Sequence, residues 1–459
     1  MKLPLGRIAE FTHASGEFDH KALATGYSID SRTILHGDLF FAVKGERMDG
    51  HDFVESALTA GAAAAVVSKE QYPKFAVKSR LLAVDDTLVA LQSLGAAVRR
   101  LWGKPVLGIT GSMGKTTTKE CIAHVLSSRF RVLKSAGNLN NHFGMPLQLL
   151  RLEPEHEIAV IEMGMSHAGE ITALARLAQP NIGVVTNVAP VHLEFFDSIA
   201  EIARAKYELI ATLPSGGTAV LNADDEYASQ FGRDFHGKVV TFGVHKPADV
   251  CARDVATHGQ QGSEFDIIID GLREHAILPL VGEHNIANAL AAVAVAIECG
   301  IQPSSAVASL ASISQADRRG QVEKLGGSTI VNDCYNSNPK ALRAMVDALV
   351  SLPAKRRIVV AGEMLELGPT GGALHRECGE YIASRNIDLL IGVRGLAASM
   401  VEAARVKGMA ASFMATPEDA GEWLANQVRE GDAVLLKASR GVRLEKALEV
   451  WRSRTAATK

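Results

Sequence analysis

Short, continuous apolar runs recur along most of the chain, and helical segments separate them. A run of this kind is typical of a strand that is buried on both faces of a parallel sheet. In the middle of the chain such runs predict strands within residues 104–110, 157–163, 181–187, 218–222 and 239–243. Their alternation with helices predicts an α/β fold with a doubly wound, mostly parallel sheet.

The pattern changes character at two places, so we predict three domains. Residues 1–84 form a small α/β unit with an apolar strand at 38–43 and a helix-like segment at 55–68. Residues 85–316 form the central domain, which ends with the apolar helix 285–300 and the residues that follow it. Residues 317–459 form a second, smaller Rossmann-like domain, whose strands we expect within 328–334, 357–363, 388–393 and 432–439.

Composition narrows the function classes. With 459 residues and 47% hydrophobic content, the chain is long enough for several domains with cores of their own. The formal net charge is -3 and opposite charges are interleaved, which favours small-molecule partners over nucleic acid or a lipid surface. The sequence has no signal peptide, no membrane-spanning run and no CxxC spacing among its five cysteines, so we predict a cytoplasmic protein without membrane insertion, disulfides or zinc.

A glycine-containing loop between a predicted strand and a predicted helix is the clearest chemical signal. In a P-loop, backbone amides face the phosphates, a lysine reaches the β and γ oxygens, and a hydroxyl binds Mg²⁺. Here Lys115 and Thr116 take the last two roles, although Gly108 precedes Gly114 by one residue more than the general motif allows. No NKxD motif is present, so adenine is favoured over guanine. The predicted nucleotide-binding residues are Thr110, Gly111, Ser112, Met113, Gly114, Lys115, Thr116 and Thr117.

Polar residues at strand ends are the next candidates, because ligands bind beyond the carboxyl ends of strands in open α/β sheets. Glu162 ends an apolar strand and needs either Mg²⁺ or an arginine as its partner. Asn187 ends another strand, and His192 follows it in a loop, as a metal or phosphate contact or as a plain surface residue. Lys206 lies on a helix face, and its pattern alone indicates a solvated lysine.

Three segments on the two sides of the boundary between the central and last domains complete the candidates. The amide-rich segment 282–288 opens a helix, where it contacts a base or phosphate or merely caps the helix. Asp333 ends the first strand of the last domain and is a candidate for a ribose hydroxyl. Arg318 and Arg319 precede that strand, either near a γ-phosphate or at the surface.

Taken together, these segments resemble a known family. GITGSMGKTTTKE, GNLNNHFGMPLQLL, EMGMSHAGEI, TNVAPVHLE, ARAKYELI, GEHNIANALAA, DCYNSNPKAL and GEMLELG follow the order and approximate spacing of the Mur ligases of peptidoglycan synthesis. The resemblance covers all three domains. One departure is Ala438, since the family commonly has glycine before the serine that here is Ser439.

The resemblance implies a fold and a set of roles. It implies a first domain for a uridine nucleotide, a central ATP-binding domain, and a last domain that closes over ATP and binds the incoming substrate. Lys115, Lys206, His192 and Arg319 are then catalytic, and Lys206 is the lysine that carries a carbamate in the family. ATP and Mg²⁺ are the implied cofactors. The implied metal-binding residues are Thr116, Glu162, His192 and Lys206.

Further contacts follow from the same resemblance. Ser31 and Arg32 belong to the uridine-diphosphate side, and Asn140 and Asn141 are further substrate-binding residues. The GEMLELG loop and His375 are candidates for the incoming substrate. The remaining nucleotide contacts are expected at Asn285, Asn288, Arg319, Asp333 and Asn336.

Within the family, two segments favour one reaction. GNLNNHFGMPL and DCYNSNPKAL resemble the ligase that joins D-alanyl-D-alanine to UDP-N-acetylmuramoyl-tripeptide through an acyl phosphate, and a DNPR motif for a diamino acid is absent. We expect a monomer with a hinge near residues 313–317. The alternatives are the diamino-acid-adding Mur ligase, a folylpolyglutamate synthase, which would lack the first domain, and, from another class, a regulatory P-loop protein.

Overall fold

The computed structural model describes residues 1–46, 48–76, 78–314 and 318–457. Its α/β class and its parallel-dominated sheets confirm the predicted fold class. The main sheets span residues 26–84, 106–278 and 321–437, while the domain boundaries stay predictions. Residues 315–317 of the predicted hinge lie outside the described residues. Among the helices that are described, none is long and apolar enough to cross a membrane.

The first sheet is parallel, in the order β3-β4-β5-β6. The helix-like interpretation of 55–68 is wrong in its second half, because the helix ends at Thr59 and a strand begins at Ala64. This strand is buried along most of its length, so its alanine and valine side chains pack on both faces of the sheet. The elements are β1 (Leu3–Pro4), α1 (Leu5–Thr12), β2 (Leu23–Ala24), β3 (Gly26–Ser28), β4 (Asp38–Phe41), α2 (Val54–Thr59), β5 (Ala64–Ser68) and β6 (Leu81–Val84).

The central sheet has nine strands in the order β15-β14-β13-β12-β11-β10-β7-β9-β8. All five predicted strands are confirmed. In this order, every neighbouring pair of strands between β13 and β8 is parallel. Strands β8, β13, β14 and β15 were not predicted. The strands are β7 (Val106–Thr110), β8 (Val132–Lys134), β9 (Ile158–Glu162), β10 (Ile182–Val185), β11 (Thr218–Asn222), β12 (Lys238–Gly243), β13 (Val250–Thr257), β14 (Ser263–Ile269) and β15 (Leu272–Leu278).

Helices cover both faces of this sheet. The apolar helix α8 is buried along almost its whole length and packs against α4, the helix that follows the P-loop. The helices are α3 (Thr87–Trp102), α4 (Lys115–Leu126), α5 (Gly144–Leu150), α6 (Glu170–Ala178), α7 (Ile199–Ala211), α8 (His284–Glu298) and α9 (Pro303–Ser309). Because β10, β7 and β9 are neighbours, their carboxyl ends bring Asn187, Thr110 and Glu162 to one edge.

The last sheet has the order β16-β17-β21-β18-β19-β20, parallel except for β16. The four predicted strands are confirmed, and β16 and β20 are additional. The elements are β16 (Gln321–Leu325), β17 (Ser328–Asp333), α10 (Pro339–Val350), β18 (Arg356–Gly362), α11 (Gly371–Ala383), β19 (Leu389–Val393), α12 (Ala397–Val406), β20 (Ala411–Met414), α13 (Pro417–Gln427), β21 (Asp432–Lys437) and α14 (Glu445–Ala457).

Candidate active site

The predicted P-loop connects β7 to α4. Gly114 has φ +77°, and a Cβ there would lie 2.7 Å from Oδ1 of Asn288. Any larger residue is therefore excluded both by backbone conformation and by the neighbouring helix α8. The Lys115 Nζ donates to the carbonyl of Gly111 at 2.7 Å, so the lysine folds back over its own loop.

The loop is held from outside by residues that follow β10. Asn187 accepts the N–H of Met113 at its Oδ1 (3.0 Å) and donates from Nδ2 to the Met113 carbonyl (3.2 Å). The Thr186 hydroxyl donates to the same carbonyl at 2.6 Å, and the Ser112 N–H donates to the Asn187 carbonyl at 2.9 Å. The amides of Ser112 and Met113 are thus occupied. The first N–H groups of α4, by contrast, have no helical carbonyl to satisfy them, so they are the amides suited to receive an anion.

Glu162 is almost completely buried at the end of β9, with 2% of its surface exposed. Its Oε2 accepts from the Thr116 hydroxyl at 2.9 Å, and its Oε1 accepts from Nδ2 of Asn140 at 2.8 Å. Lys119 lies 3.8 Å from Oε2 with its side chain 1% exposed. The arginine partner considered from the sequence is therefore wrong. The cation beside this carboxylate is Lys119, which sequence reasoning missed because nothing in its pattern marks a buried lysine.

The basic side chains of Lys206 and Arg319 both lie near Lys115. Lys206 is buried on α7, so the interpretation of a solvated lysine is wrong. Burial holds the pKa of Lys206 well below its usual value, and the nearby charge of Lys115 lowers this pKa further. Burial also lowers the pKa of Lys115, where Glu162 acts in the opposite direction and Arg319 in the same one. The Arg319 guanidinium lies 3.9 Å from the ring centre of Tyr335, so it stacks on this ring.

His192 is contacted by a residue of the last domain, Glu366. Its backbone has φ +57°, and its Nδ1 lies 2.5 Å from Oε2 of Glu366. The hydrogen bond to His192 lowers the pKa of the Glu366 carboxyl against the effect of burial. The carboxylate is therefore an acceptor, and Nδ1 of the imidazole is the donor.

Two asparagines of α8 are oriented by a chain of hydrogen bonds. The Thr118 hydroxyl donates to Oδ1 of Asn288, whose Nδ2 donates to Oδ1 of Asn285, each at 2.9 Å. Asn285 in turn donates to the Val281 carbonyl. Neither side chain caps its own helix, so capping does not explain this segment.

The last domain contributes a buried ion pair to the cleft. Lys437 pairs with Asp333 and donates to the Asn336 carbonyl at 2.9 Å, with 3% of its side chain exposed. His284 faces this pair from the central domain. His284 lines the cleft, where desolvation by the surrounding protein lowers its pKa, while Asp333 raises it and Lys437 lowers it further. Lys437 thus fixes Asp333 and Asn336 relative to each other.

A cleft of about 1120 Å³ between the central and last domains unites most of these residues. Its walls include Asn140, Asn141, Glu162, His192, Asn285, Asn288, Arg319, Asp333, Asn336, Glu366 and the P-loop from Ser112 to Thr117.

Other candidates lie away from these walls. Thr110 is buried, and its hydroxyl has no hydrogen-bond partner among the described residues. Ser31 and Arg32 lie in the first domain, where Arg32 pairs with Asp30 at 2.7 Å. His375 is wrong as a contact for the incoming substrate, because it is fully buried with both ring nitrogens bonded inside the last domain.

Family models match all three regions of the chain. Residues 109–296 match the Mur ligase middle domain, 318–440 the Mur ligase glutamate ligase domain, and 24–99 the Mur ligase family catalytic domain.

Relatives match over nearly the full length. A protein of Bacillus subtilis (strain 168), UDP-N-acetylmuramoyl-tripeptide--D-alanyl-D-alanine ligase, is 36% identical over 98% of this chain and 98% of its own. The crystal structure of MurF from Acinetobacter baumannii has a TM-score of 0.90 and 29% identity and covers 99% of both chains. MurF ligase from Thermotoga maritima in complex with ADP has a TM-score of 0.82 and 29% identity, and covers 95% of this chain and 99% of its own. The resemblance expected from the sequence is confirmed, and the chain belongs to the Mur ligase family.

Proposed function

We infer that the chain is an ATP-dependent ligase that adds D-alanyl-D-alanine to UDP-N-acetylmuramoyl-tripeptide. The product is the pentapeptide precursor of peptidoglycan, and ADP and phosphate are released. The observation that carries this inference is the near full-length match to a ligase of that name, at 36% identity. The geometry agrees, because a P-loop, a buried carboxylate and cations from two domains line one cleft.

The nucleotide binds through its phosphates at the start of α4. The relative solved with ADP supports a nucleotide site in this fold. The unpaired amides of α4 and the Lys115 ammonium receive the phosphates. We assign Asn285 and Asn288 to the base, and Asp333 and Asn336 to the ribose side.

The donor set fits a Mg²⁺ ion that arrives with the nucleotide. The described residues contain no cluster of three or more His, Cys, Asp or Glu side chains that could hold an ion alone. Thr116 and Glu162 lie within hydrogen-bond distance of each other, and His192 lines the same cleft. One hydroxyl, one carboxylate and an imidazole leave positions for phosphate oxygens and water, as Mg²⁺ prefers. When bound, the ion neutralises phosphate charge and polarises the γ-phosphoryl group.

The reaction begins when the acceptor carboxylate attacks the γ-phosphate and ADP leaves. Two anions must meet, so Lys115 and Arg319 reduce their repulsion and stabilise charge on the transferring phosphoryl group. The amine of D-alanyl-D-alanine then attacks the acyl carbon, loses a proton, and expels inorganic phosphate. Enclosure of the cleft by the last domain excludes water from the acyl phosphate.

Lys206 is suited to the proposed carbamate. The lowered pKa favours the neutral amine, and only the neutral amine attacks CO₂, forming an N–C bond and releasing a proton. The resulting anion adds a carboxylate-like ligand next to Lys115 and reduces the excess positive charge there. Without it, burial and the charge of Lys115 keep the amine neutral, and the site lacks this anionic ligand.

The remaining assignments concern substrates and location. Ser31 and Arg32 are proposed for the uridine diphosphate, and Asn140 and Asn141 for the peptide end of the acceptor. Among the described residues all five cysteines are free thiols, which supports a reducing, cytoplasmic location. We propose a monomer, since one chain supplies the whole cleft.

The decisive assay measures phosphate release with ATP, Mg²⁺ and UDP-N-acetylmuramoyl-tripeptide, with and without D-alanyl-D-alanine. We expect dipeptide-dependent release and a pentapeptide product in mass analysis. Lys115→Met should abolish both, whereas Lys407→Met, which changes an exposed lysine of the last domain, should not. Turnover only with the dipeptide precursor and a free diamino acid would identify the neighbouring ligase. Hydrolysis that needs no peptide would indicate a regulatory protein.

A further inference from the structure

A loop of the last domain reaches across to the central domain. This 363–371 loop joins β18 to α11, and the 188–195 loop follows β10. Their contact is the hydrogen bond from His192 Nδ1 to Glu366 at 2.5 Å, between residues 174 positions apart. Both residues have positive φ, +57° and +64°, so each loop turns its side chain toward the other.

The two loops also touch through their backbones. Gly368 has φ +55°, and a Cβ at this position would lie 2.9 Å from the Leu193 carbonyl and 3.2 Å from Cα of Glu194. The approach is therefore so close that only glycine is accommodated. The side-chain contact is part of a docked surface and does not stand alone.

The 363–371 loop is fixed within its own domain. His375 accepts the Met364 N–H at Nε2 (3.0 Å) and donates from Nδ1 to the Gly371 carbonyl (2.7 Å). The Leu365 N–H donates to the Ser439 hydroxyl at 2.9 Å. Because both ends of the loop are tied to the domain core, the position of Glu366 follows the position of the whole domain.

We propose that Glu366 is a positioning residue that completes the nucleotide site only when the last domain is docked. Its carboxylate accepts the Nδ1 hydrogen of His192, fixing the ring and its tautomer, so that Nε2 is the nitrogen left for the metal ion of the nucleotide. Histidine ligands of metal sites usually donate their other N–H to such a carboxylate. Here that carboxylate belongs to another domain, which couples the ligand's geometry to domain position. The inference rests on the proposed function.

The test compares Glu366→Ala and Glu366→Gln with the matched control Glu402→Gln, which changes an exposed glutamate of the same domain. Mn²⁺ affinity is measured by electron paramagnetic resonance with a non-hydrolysable ATP analogue bound. We expect a loss of about 10- to 100-fold for Glu366→Ala. Glu366→Gln should lose less, since its amide oxygen still accepts. The urea midpoint of unfolding should match that of the parent protein, because Glu366 is exposed.

Gly368→Ala provides an independent variant. Its methyl group would strike the Leu193 carbonyl and hinder docking while leaving Glu366 in place. We expect a larger radius of gyration in small-angle scattering with the ATP analogue, together with weaker Mn²⁺ binding. Unchanged Mn²⁺ affinity in Glu366→Ala and unchanged scattering in Gly368→Ala would overturn the inference. Pentapeptide synthesis by the parent protein would still support the proposed function in that case. If the parent protein makes no product, the proposed function fails, and the Mn²⁺ titration still decides the role of Glu366.

Discussion

Asn187 should support ATP binding without touching ATP, and its replacement by alanine tests this. The change removes two hydrogen bonds to Met113, at 3.0 and 3.2 Å. The Met113 carbonyl keeps the Thr186 hydroxyl as a donor, so only the Met113 N–H loses its partner. A typical hydrogen bond contributes about 0.5–1.5 kcal/mol net, and an orphaned buried donor costs about 1–3 kcal/mol. Since Met113 is only half-buried, we expect the free energy of unfolding to fall by about 1–2 kcal/mol.

The same loss should weaken ATP binding, because the bound loop conformation is no longer fixed before the ligand arrives. If about 1.4 kcal/mol of that support is lost, Kd for an ATP analogue rises about tenfold. Isothermal titration calorimetry measures Kd, and urea unfolding measures stability. Asn187→Asp keeps the acceptor for Met113 but places a negative charge near the phosphates, so its affinity should fall further than that of the alanine variant.

Asn181 offers the matched control. It accepts the Val106 N–H at 3.1 Å, at the opposite end of β7 from the P-loop. Asn181→Ala should therefore reduce stability without changing the affinity for the ATP analogue. The reasoning is refuted if Asn187→Ala binds the analogue as tightly as the parent protein, or if both variants weaken binding equally.

Three further substitutions test other contacts of the site. Lys206→Met should raise the free energy of unfolding near pH 7, because the folded protein holds the lysine pKa well below its usual value and penalises the charged form. This gain in stability should shrink as the pH rises toward about 10.4, the pKa of lysine in the unfolded chain. Urea unfolding at several pH values measures it. In Gly114→Ala the new methyl group would lie 2.7 Å from Oδ1 of Asn288, at a backbone φ of +77°. Calorimetry should therefore show weaker ATP binding, and the free energy of unfolding should fall by about 1–3 kcal/mol. Arg319→Lys loses the planar stack on Tyr335, worth about 0.5–2 kcal/mol, and kcat/KM for phosphate release should fall about 2- to 30-fold.

The parts of the fold that the sequence predicted are those with a strong local signal. Strands β7, β9 and β10 are buried along their whole length, so before the polar residues Thr110 and Glu162 that end β7 and β9 they carry no polar side chain. The P-loop was predictable because its glycine, lysine and threonine are consecutive. A strand followed by such a loop and a helix leaves few other interpretations.

Several of the missed strands lie at sheet edges or alternate in burial. In β14 buried and less buried residues follow one another, and β15 carries charged residues on its outer face. A search for continuous apolar runs passes over such strands, although their period of two is the signature of a sheet with one solvated face. The short strand β20 is mostly half-exposed and was missed for the same reason.

Contacts between distant segments could not be predicted from one sequence. Asn187 was recognised as a strand end, but its bonds to Met113 depend on β10 lying beside β7. The pairing of His192 with Glu366 depends further on how two domains dock. Lys206 was singled out only through the family resemblance, because burial of a helix-face lysine is a tertiary property.

Electrostatics links the nucleotide to the position of the last domain. Lys115 and Lys206 belong to the central domain, and Arg319 comes from the far side of the cleft, where its charge further lowers the pKa of Lys115. Docking the last domain without phosphates therefore brings the charge of Arg319 toward that of Lys115, while Glu162 is already bonded to Thr116 and Asn140. Phosphate groups reverse the sign of this contribution, because each cation then faces an anion in a cleft where charges are poorly screened. ATP should therefore favour docking, and docking in turn should bring both Arg319 to the phosphates and Glu366 to His192.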